Sequence, residues 1–359
     1  MSRLIRAIID SRALRANLAQ IRAAAPGCQV MAVVKANAYG HGLVPTALAL
    51  AEADAFAVAR IEEAVALRSA GVRRPIVLLE GVFDAAQLAE AAQLELDLVI
   101  HEPLQIALLE QHAATHRFVA WLKVDTGMNR LGFRPEEFPA ALSRLKVLSA
   151  RVREIRVLTH LARADERNAA MTLEQVQAFT RLTAALGLAT SIANSAAILG
   201  TPAAHATWIR PGLALYGVSP FVGETAEALG LVPAMTLETL VISTRNVPRG
   251  ETVGYGGTWR AERDSRIAIV AAGYGDGLPW HLPTGTLLRI AGQSLPIVGR
   301  VSMDMIAVDA TLASQRIEVG SRVVLWGPEL PVEQMAAAAR TIPYELLCGI
   351  SQRVPLVLG

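Results

Sequence analysis

Apolar and polar positions along the first two-thirds of the chain follow two alternating periods. Short, nearly unbroken apolar runs occur at 30–34, 56–58, 76–79, 98–100, 118–124, 155–160, 191–194 and 208–210. Runs of this length, rich in β-branched and aromatic residues, predict buried strands. Between them apolar residues recur at helical spacing. Leu14, Leu18 and Ile21 share one face of an expected helix, with Asp10 or Ser11 placed to cap it. Further helices are expected over 45–53, over 62–69, through Leu108 and Leu109, and over 172–186, where Gly187 closes the last. Strand and helix therefore alternate roughly eight times over about 220 residues, which predicts a (β/α)₈ TIM-like barrel. An open doubly wound sheet is the alternative. No GxGxxG follows a first strand, and this weakens its dinucleotide-binding form.

The pattern changes near Leu231. Polar and apolar residues alternate over 235–243, and short β-rich runs follow at 266–271, 287–290, 295–298, 305–308 and 323–326. Gly and Pro punctuate them, as in a mostly β unit. One short helix is expected over 330–339. The expected division is a barrel over 1–230 and a mostly β domain over 231–359.

Composition narrows the function classes. The 359 residues are 52% hydrophobic and 18% charged, so an ordinary core is easily buried. The net charge of +2 and the lack of a basic run with interleaved aromatics argue against a nucleic-acid partner. No charge-free apolar stretch of about 18 residues is present, so no membrane span is expected. Asp10 interrupts the apolar N-terminal run, which is too short for a signal-peptide core. The two cysteines, Cys28 and Cys348, form neither a disulfide framework nor a zinc pattern. A reducing compartment, the cytoplasm, is the expected location.

One strand end stands out. The run Val30–Val34 leads into Lys35, and then into Ala36-Asn37-Ala38-Tyr39-Gly40-His41-Gly42. Burying an ammonium is costly, unless the amine is neutral or used covalently by an aldehyde cofactor. The small residues after Lys35 leave room for a bulky group. In a (β/α)₈ barrel, catalytic groups sit at the C-terminal strand ends. Lys123, His160, Asn194–Ser195 and Arg210 occupy such ends as well. Each alone has an ordinary reading: a hydrogen-bonded structural histidine, a surface arginine, a helix cap. Five at one rim point to a site.

The string AVVKANAYGHG closely resembles the pyridoxal-phosphate lysine motif of alanine racemases. LKVDTGMNRLGF, THLARADE, ANSAA, IRPGLALYG, VGYGGTW, GYGDG and VGRVSMDM resemble further motifs of that family, in the same order. The resemblance runs from about Ile9 to Pro355, nearly the whole chain. It implies a fold-type III enzyme that uses pyridoxal 5'-phosphate to interconvert L-alanine and D-alanine. Lys35 and Tyr255 would be the two acid/base groups on opposite faces of the cofactor. In the family this tyrosine comes from the partner subunit, so a homodimer with shared active sites is implied. Tyr39, Ser195, Gly212 and Leu213 resemble the phosphate cradle, His160 the histidine that contacts the tyrosine, and Arg210 the arginine facing the pyridine nitrogen. Arginine does not give up its proton, so the ring stays unprotonated and is a weaker electron sink. Arg130 and the Met303 N–H resemble the groups that meet the substrate carboxylate. Lys123 matches a position carbamylated in some relatives. No metal is implied.

Some positions depart from the family pattern. Gln352 stands where a tyrosine often precedes Arg-Val-Pro, and Leu278 and Trp280 differ after Gly277. Arg163 lies in a stretch that lines the family's entrance. A corridor of different shape is expected, with alanine preferred and serine or larger side chains tolerated. The alternatives are a family racemase for serine or a basic amino acid, a decarboxylase of the same fold, and a non-catalytic pyridoxal-phosphate-binding protein. Arg210 and Tyr255 argue against the decarboxylase. The second domain argues against the non-catalytic binder.

Overall fold

The structure, a computed structural model, describes residues 4–111 and 116–359. Strand β1 (Arg6–Ile9) and the helix Ser11–Ala24 open the chain. Asp10 caps the helix, its Oδ1 accepting the Arg12 N–H at 2.8 Å and the Ala13 N–H at 3.3 Å. Eight strands then follow: β2 (Gln29–Val33), β3 (Ala55–Val58), β4 (Ile76–Leu78), β5 (Asp97–Ile100), β6 (Phe118–Lys123), β7 (Val152–Leu158), β8 (Thr190–Asn194) and β9 (Trp208–Arg210). They close in chain order into a parallel barrel, β9 pairing back onto β2. Every residue of β3, β4, β5 and β6 is buried. Strands covered on both faces read as unbroken apolar runs, and that is why the eight were visible in the sequence.

The second unit contains β10 (Met235–Val247), the hairpin β11 (Thr252–Val253) and β12 (Trp259–Arg260), then β13 (Ser265–Val270), β14 (Leu287–Ile290), β15 (Gln293–Val298), β16 (Ile306–Asp309), β17 (Arg322–Trp326) and β18 (Leu356–Leu358). Its main sheet has the order β13-β16-β15-β14-β17-β10-β1-β18. β1 therefore departs from the expected division at residue 230. It pairs antiparallel with β10, Ala7 opposite Leu237, and parallel with β18, Ala7 opposite Leu356. A four-residue strand whose partners lie so far along the chain leaves no local pattern to read. Fully buried Asn17 ties the first helix to the connection between the units. Its Nδ2 donates to the Leu215 and Val232 carbonyls at 3.0 and 2.8 Å, and its Oδ1 accepts the Val232 N–H at 2.8 Å. Among the described residues no helix is long and apolar enough to cross a membrane.

Candidate active site

A cavity of about 590 Å³ opens at the C-terminal rim of the barrel. Lys35, Tyr39, Lys123, Arg130, His160, Ser195, Arg210, Gly212 and Leu213 all line it. The strand ends explain the convergence. Lys35 follows β2, Lys123 ends β6, His160 follows β7 and Arg210 ends β9.

The segment after Lys35 is unusual. Ala36, Asn37, Ala38 and Tyr39 take φ of 53, 53, 52 and 50°, four successive non-glycine residues in the left-handed region. The turn brings the Tyr39 ring under the cavity, stacked on Tyr216 with centroids 4.9 Å apart. The Tyr216 hydroxyl donates to the Val33 carbonyl at 2.8 Å, so this stack is anchored to the strand that leads to Lys35. Beside the Tyr39 hydroxyl the Ser195 Oγ accepts the Gly212 N–H at 2.9 Å and the Ala214 N–H at 3.2 Å.

Arg210 is fully enclosed. It donates to the Ser191 hydroxyl and the Thr159 carbonyl at 2.5 Å, and to the Ile192 carbonyl at 3.2 Å. These neutral acceptors hold the guanidinium without neutralising it. Burial pushes its pKa down to about 10, so it stays charged at neutral pH. Its Nη2 lies 3.5 Å from His160 Nδ1. Burial, then the Arg210 charge, depresses His160 to about 3, so this imidazole is neutral. Lys123 falls to about 8, mainly from burial and then from Arg210 and Arg130. Burial raises the Tyr39 phenol far above the ordinary tyrosine range, so it remains a neutral O–H.

Charge decides what the cavity accepts. Lys35, Lys123, Arg130 and Arg210 line it, and Glu80 is the one carboxylate among the lining residues. Such an excess of cations suits an anionic ligand.

Two expected site residues lie outside the cavity of their own chain. Tyr255 sits in the β11–β12 hairpin, 70% exposed, and Met303 is 53% exposed. Positive φ at Gly254, Gly256 and Gly257 makes the tight turn that displays Tyr255. None of the positions expected at the entrance lines the cavity of its own chain. Gln352 is exposed and does not line the cavity, whereas Tyr344 does, its ring 5.6 Å from that of Tyr39. Leu278 is buried, and Trp280 is exposed with the Arg300 guanidinium 5.9 Å from its ring. Arg163 is exposed and paired with Glu166. Tyr344, Ile342 and Cys348 escaped sequence reasoning because helix Pro343–Cys348, with only six residues, is too short to show a helical period and follows the helix Val332–Ala338 by only a few residues. The one local signal was an aromatic beside a helix-starting proline.

Known proteins match this arrangement over its whole length. The family model for the alanine racemase N-terminal domain covers residues 9–220, and that for the C-terminal domain covers 234–358. The chain belongs to the alanine racemase family. It is an enzyme of the racemase class. An alanine racemase from Nitrosococcus oceani is 49% identical over 97% of this chain and 98% of that protein. The crystal structure of a biosynthetic alanine racemase from Pseudomonas aeruginosa superposes with a TM-score of 0.96, at 44% identity, over 100% of both chains. An alanine racemase from Bartonella henselae, described with covalently bound pyridoxal phosphate, gives 0.90 at 32% identity, again over 100% of both.

Proposed function

We propose that this chain interconverts L-alanine and D-alanine, holding pyridoxal phosphate in the barrel cavity and working as a homodimer in the cytoplasm. The observation that carries the reading is the cationic cavity that Lys35 lines, with Tyr255 exposed outside the cavity of its own chain. The donor set fits the cofactor. Ser195, the Leu213 amide and the Tyr39 hydroxyl, with the Gly212 amide that Ser195 holds at 2.9 Å, would make a polar cradle for a phosphate. A Cβ built on Gly212 would lie 2.6 Å from the Tyr39 hydroxyl, so only glycine leaves that cradle open.

When bound, pyridoxal phosphate supplies the electron sink that acidifies the α-proton of an amino acid. The chain's own residues do the rest. Arg210 would face the ring nitrogen and, keeping its own proton, would leave that nitrogen unprotonated. Lys35 moves a proton at Nζ on one face, and Tyr255 of the partner subunit moves one at Oη on the other. Two bases on opposite faces are what inversion at carbon requires. Arg130 and the Met303 amide, the latter from the partner, orient the substrate carboxylate. Lys123, whose neutral form is accessible near pH 8, is proposed to carry a carbamate that fixes Arg130. His160, kept neutral, is proposed to accept from Arg210 and to meet the incoming tyrosine.

Purified protein supplied with pyridoxal phosphate tests this. L-alanine, L-serine and L-lysine are incubated in parallel and read by chiral chromatography. D-alanine forming fastest, in a yellow protein whose colour borohydride removes at Lys35, is the expected result. A yellow protein inert toward alanine would overturn the substrate and keep the cofactor.

A further inference from the structure

The left-handed turn after Lys35 closes local backbone hydrogen bonds, the Ala38 N–H to the Val34 carbonyl at 2.8 Å and the Gly42 N–H to the Asn37 carbonyl at 3.0 Å, but its backbone is strained. Left-handed backbone costs a non-glycine residue about 1–2 kcal/mol, and four such residues stand in a row. Something outside the turn has to over-determine it. Among the described residues three side-chain hydrogen bonds brace it, besides the packing of the Tyr39 ring on Tyr216 and Tyr344. The Asn37 Oδ1 accepts the Leu43 N–H at 2.8 Å, from within the segment. His41 Nδ1 lies 2.9 Å from the Tyr39 carbonyl, and a carbonyl can only accept, so the ring donates there. The third comes from the next βα unit. Glu63, in helix Ile61–Ser69, accepts the Ala36 N–H on Oε1 at 2.6 Å. Its other oxygen accepts the Ala59 and Arg60 N–H groups at 2.9 and 3.1 Å.

We propose that Glu63 is a positioning residue of the active site: its carboxylate straps the Ala36 amide to the loop after β3 and so fixes the backbone between Lys35 and Tyr39. Both oxygens are engaged, one on each side of the gap. The carboxylate is acceptor-only, and this suits a site where every facing group is an N–H. An amide could serve one side only and would turn its own N–H groups toward the other. The strap matters because Lys35 and Tyr39 reach the same cavity from the two ends of this turn. A turn that relaxed toward ordinary φ would swing one against the other.

The inference rests on the reading of Lys35 and Tyr39 as cofactor residues, but its test has an arm that does not. Full-length wild type, Glu63→Gln and Glu63→Asp are compared with Asp84→Ala. The Asp84 carboxylate accepts the Gln87 N–H and caps the helix Ala85–Gln93, so its loss is a cap loss elsewhere. Aspartate keeps the charge at the helix start but falls short of Ala36 by about 1.5 Å. Hydrogen exchange of the amides over 36–42 is followed with and without pyridoxal phosphate, alongside the cofactor dissociation constant. Faster exchange of the turn in both Glu63 variants, with cofactor affinity about tenfold weaker or more, is the expected result, the loss of one charge-assisted hydrogen bond. Thermal midpoints should fall no further than in Asp84→Ala. Turn exchange and affinity that match Asp84→Ala would overturn the proposal. Ala36→Gly added to Glu63→Gln should restore affinity, because glycine adopts this φ without strain; no recovery would also overturn it. If wild type bound no pyridoxal phosphate, the cofactor reading would fall and the exchange arm would still judge the strap.

Discussion

The Tyr39 hydroxyl and Gly212 occupy one another's only free space: a Cβ on Gly212 would sit 2.6 Å from that oxygen and 3.1 Å from the ring carbon bearing it. Gly212 has a negative φ of −122°, so no left-handed turn demands glycine here. The close approach of Tyr39 is the steric constraint on this position. Tyr39 cannot swing aside, because its ring is buried and stacked on Tyr216.

Gly212→Ala isolates this contact. One added methyl in a packed site costs about 1–3 kcal/mol when neighbours cannot yield. The displaced group here is the tip of the phosphate cradle, so the loss is expected mainly in pyridoxal-phosphate affinity. Fluorescence titration of the variant should give a dissociation constant raised about tenfold or more, with the thermal midpoint of the cofactor-free protein lowered only modestly. Tyr39→Phe in the same background should recover part of the loss by removing the clashing oxygen.

Much of this was legible from the strings alone, for a physical reason. Barrel strands buried on both faces and helices with one apolar stripe leave local periodicities, and residues at strand ends inherit a common rim from the topology. Lys35, Lys123, His160 and Arg210 were found that way. What stayed hidden depends on distant chain. β1 reads as four unremarkable residues until β10 and β18 flank it. Tyr344 reaches the Tyr39 ring from near the C-terminus, while Gln352, eight positions later, points elsewhere. The left-handed turn had no glycine to announce it. Ala36, Asn37 and Ala38 are held by local bonds together with the Glu63 carboxylate, which comes from outside their own sequence window.

Lys123 makes the cofactor-free protein more stable in alkali. Its ordinary value is 10.5 and burial, with Arg210 and Arg130, lowers it to about 8 in the folded chain. Below pH 8 both folded and unfolded chains carry the proton, and the folded chain bears the full cost of a buried ammonium. Between about 8 and 10.5 the unfolded chain binds the extra proton, so unfolding free energy rises with pH, by up to about 1.4 kcal/mol per unit. Urea titrations across this window should show that slope in wild type and lose it in Lys123→Met. The same neutral amine is the form that adds carbon dioxide. With ¹³C-labelled bicarbonate a carbamate resonance should appear in wild type and be missing in Lys123→Met; its absence from both would remove the carbamylation proposal.

Arg353 holds the loop that carries Met303. Its Nε donates to buried Asp276 at 2.7 Å, and its Nη2 to Asp304 at 2.8 Å and the Met303 carbonyl at 3.4 Å. The Gly275 N–H meets the same carbonyl at 2.9 Å. Arg353→Met leaves Asp276 without its ion-pair partner. The guanidinium is half exposed, and solvent screening brings the expected loss down to about 1–2 kcal/mol from the larger cost of a fully buried pair. Because Met303 is proposed to meet the substrate carboxylate, KM for alanine should rise several-fold while cofactor affinity holds. A fall in kcat at constant KM would detach this loop from substrate binding.

Tyr255 and Lys35 can be assigned to different subunits by mixing. Suppose one protomer carries Lys35→Ala and its partner Tyr255→Phe. If each site takes Lys35 from one chain and Tyr255 from the other, the mixed dimer holds one site with both changes and one with neither. Random exchange makes half of all dimers mixed, so about one quarter of wild-type activity should return from two inactive parents. If each chain used its own Tyr255, no combination would contain an intact site and mixing would restore nothing. The 70% exposure of Tyr255, outside the cavity that Lys35 lines in its own chain, is the reason to expect the first outcome. Each parent should also still bind pyridoxal phosphate differently: Tyr255→Phe with its colour removable by borohydride, Lys35→Ala without. That contrast separates loss of a base from loss of the attachment point, which activity alone would merge.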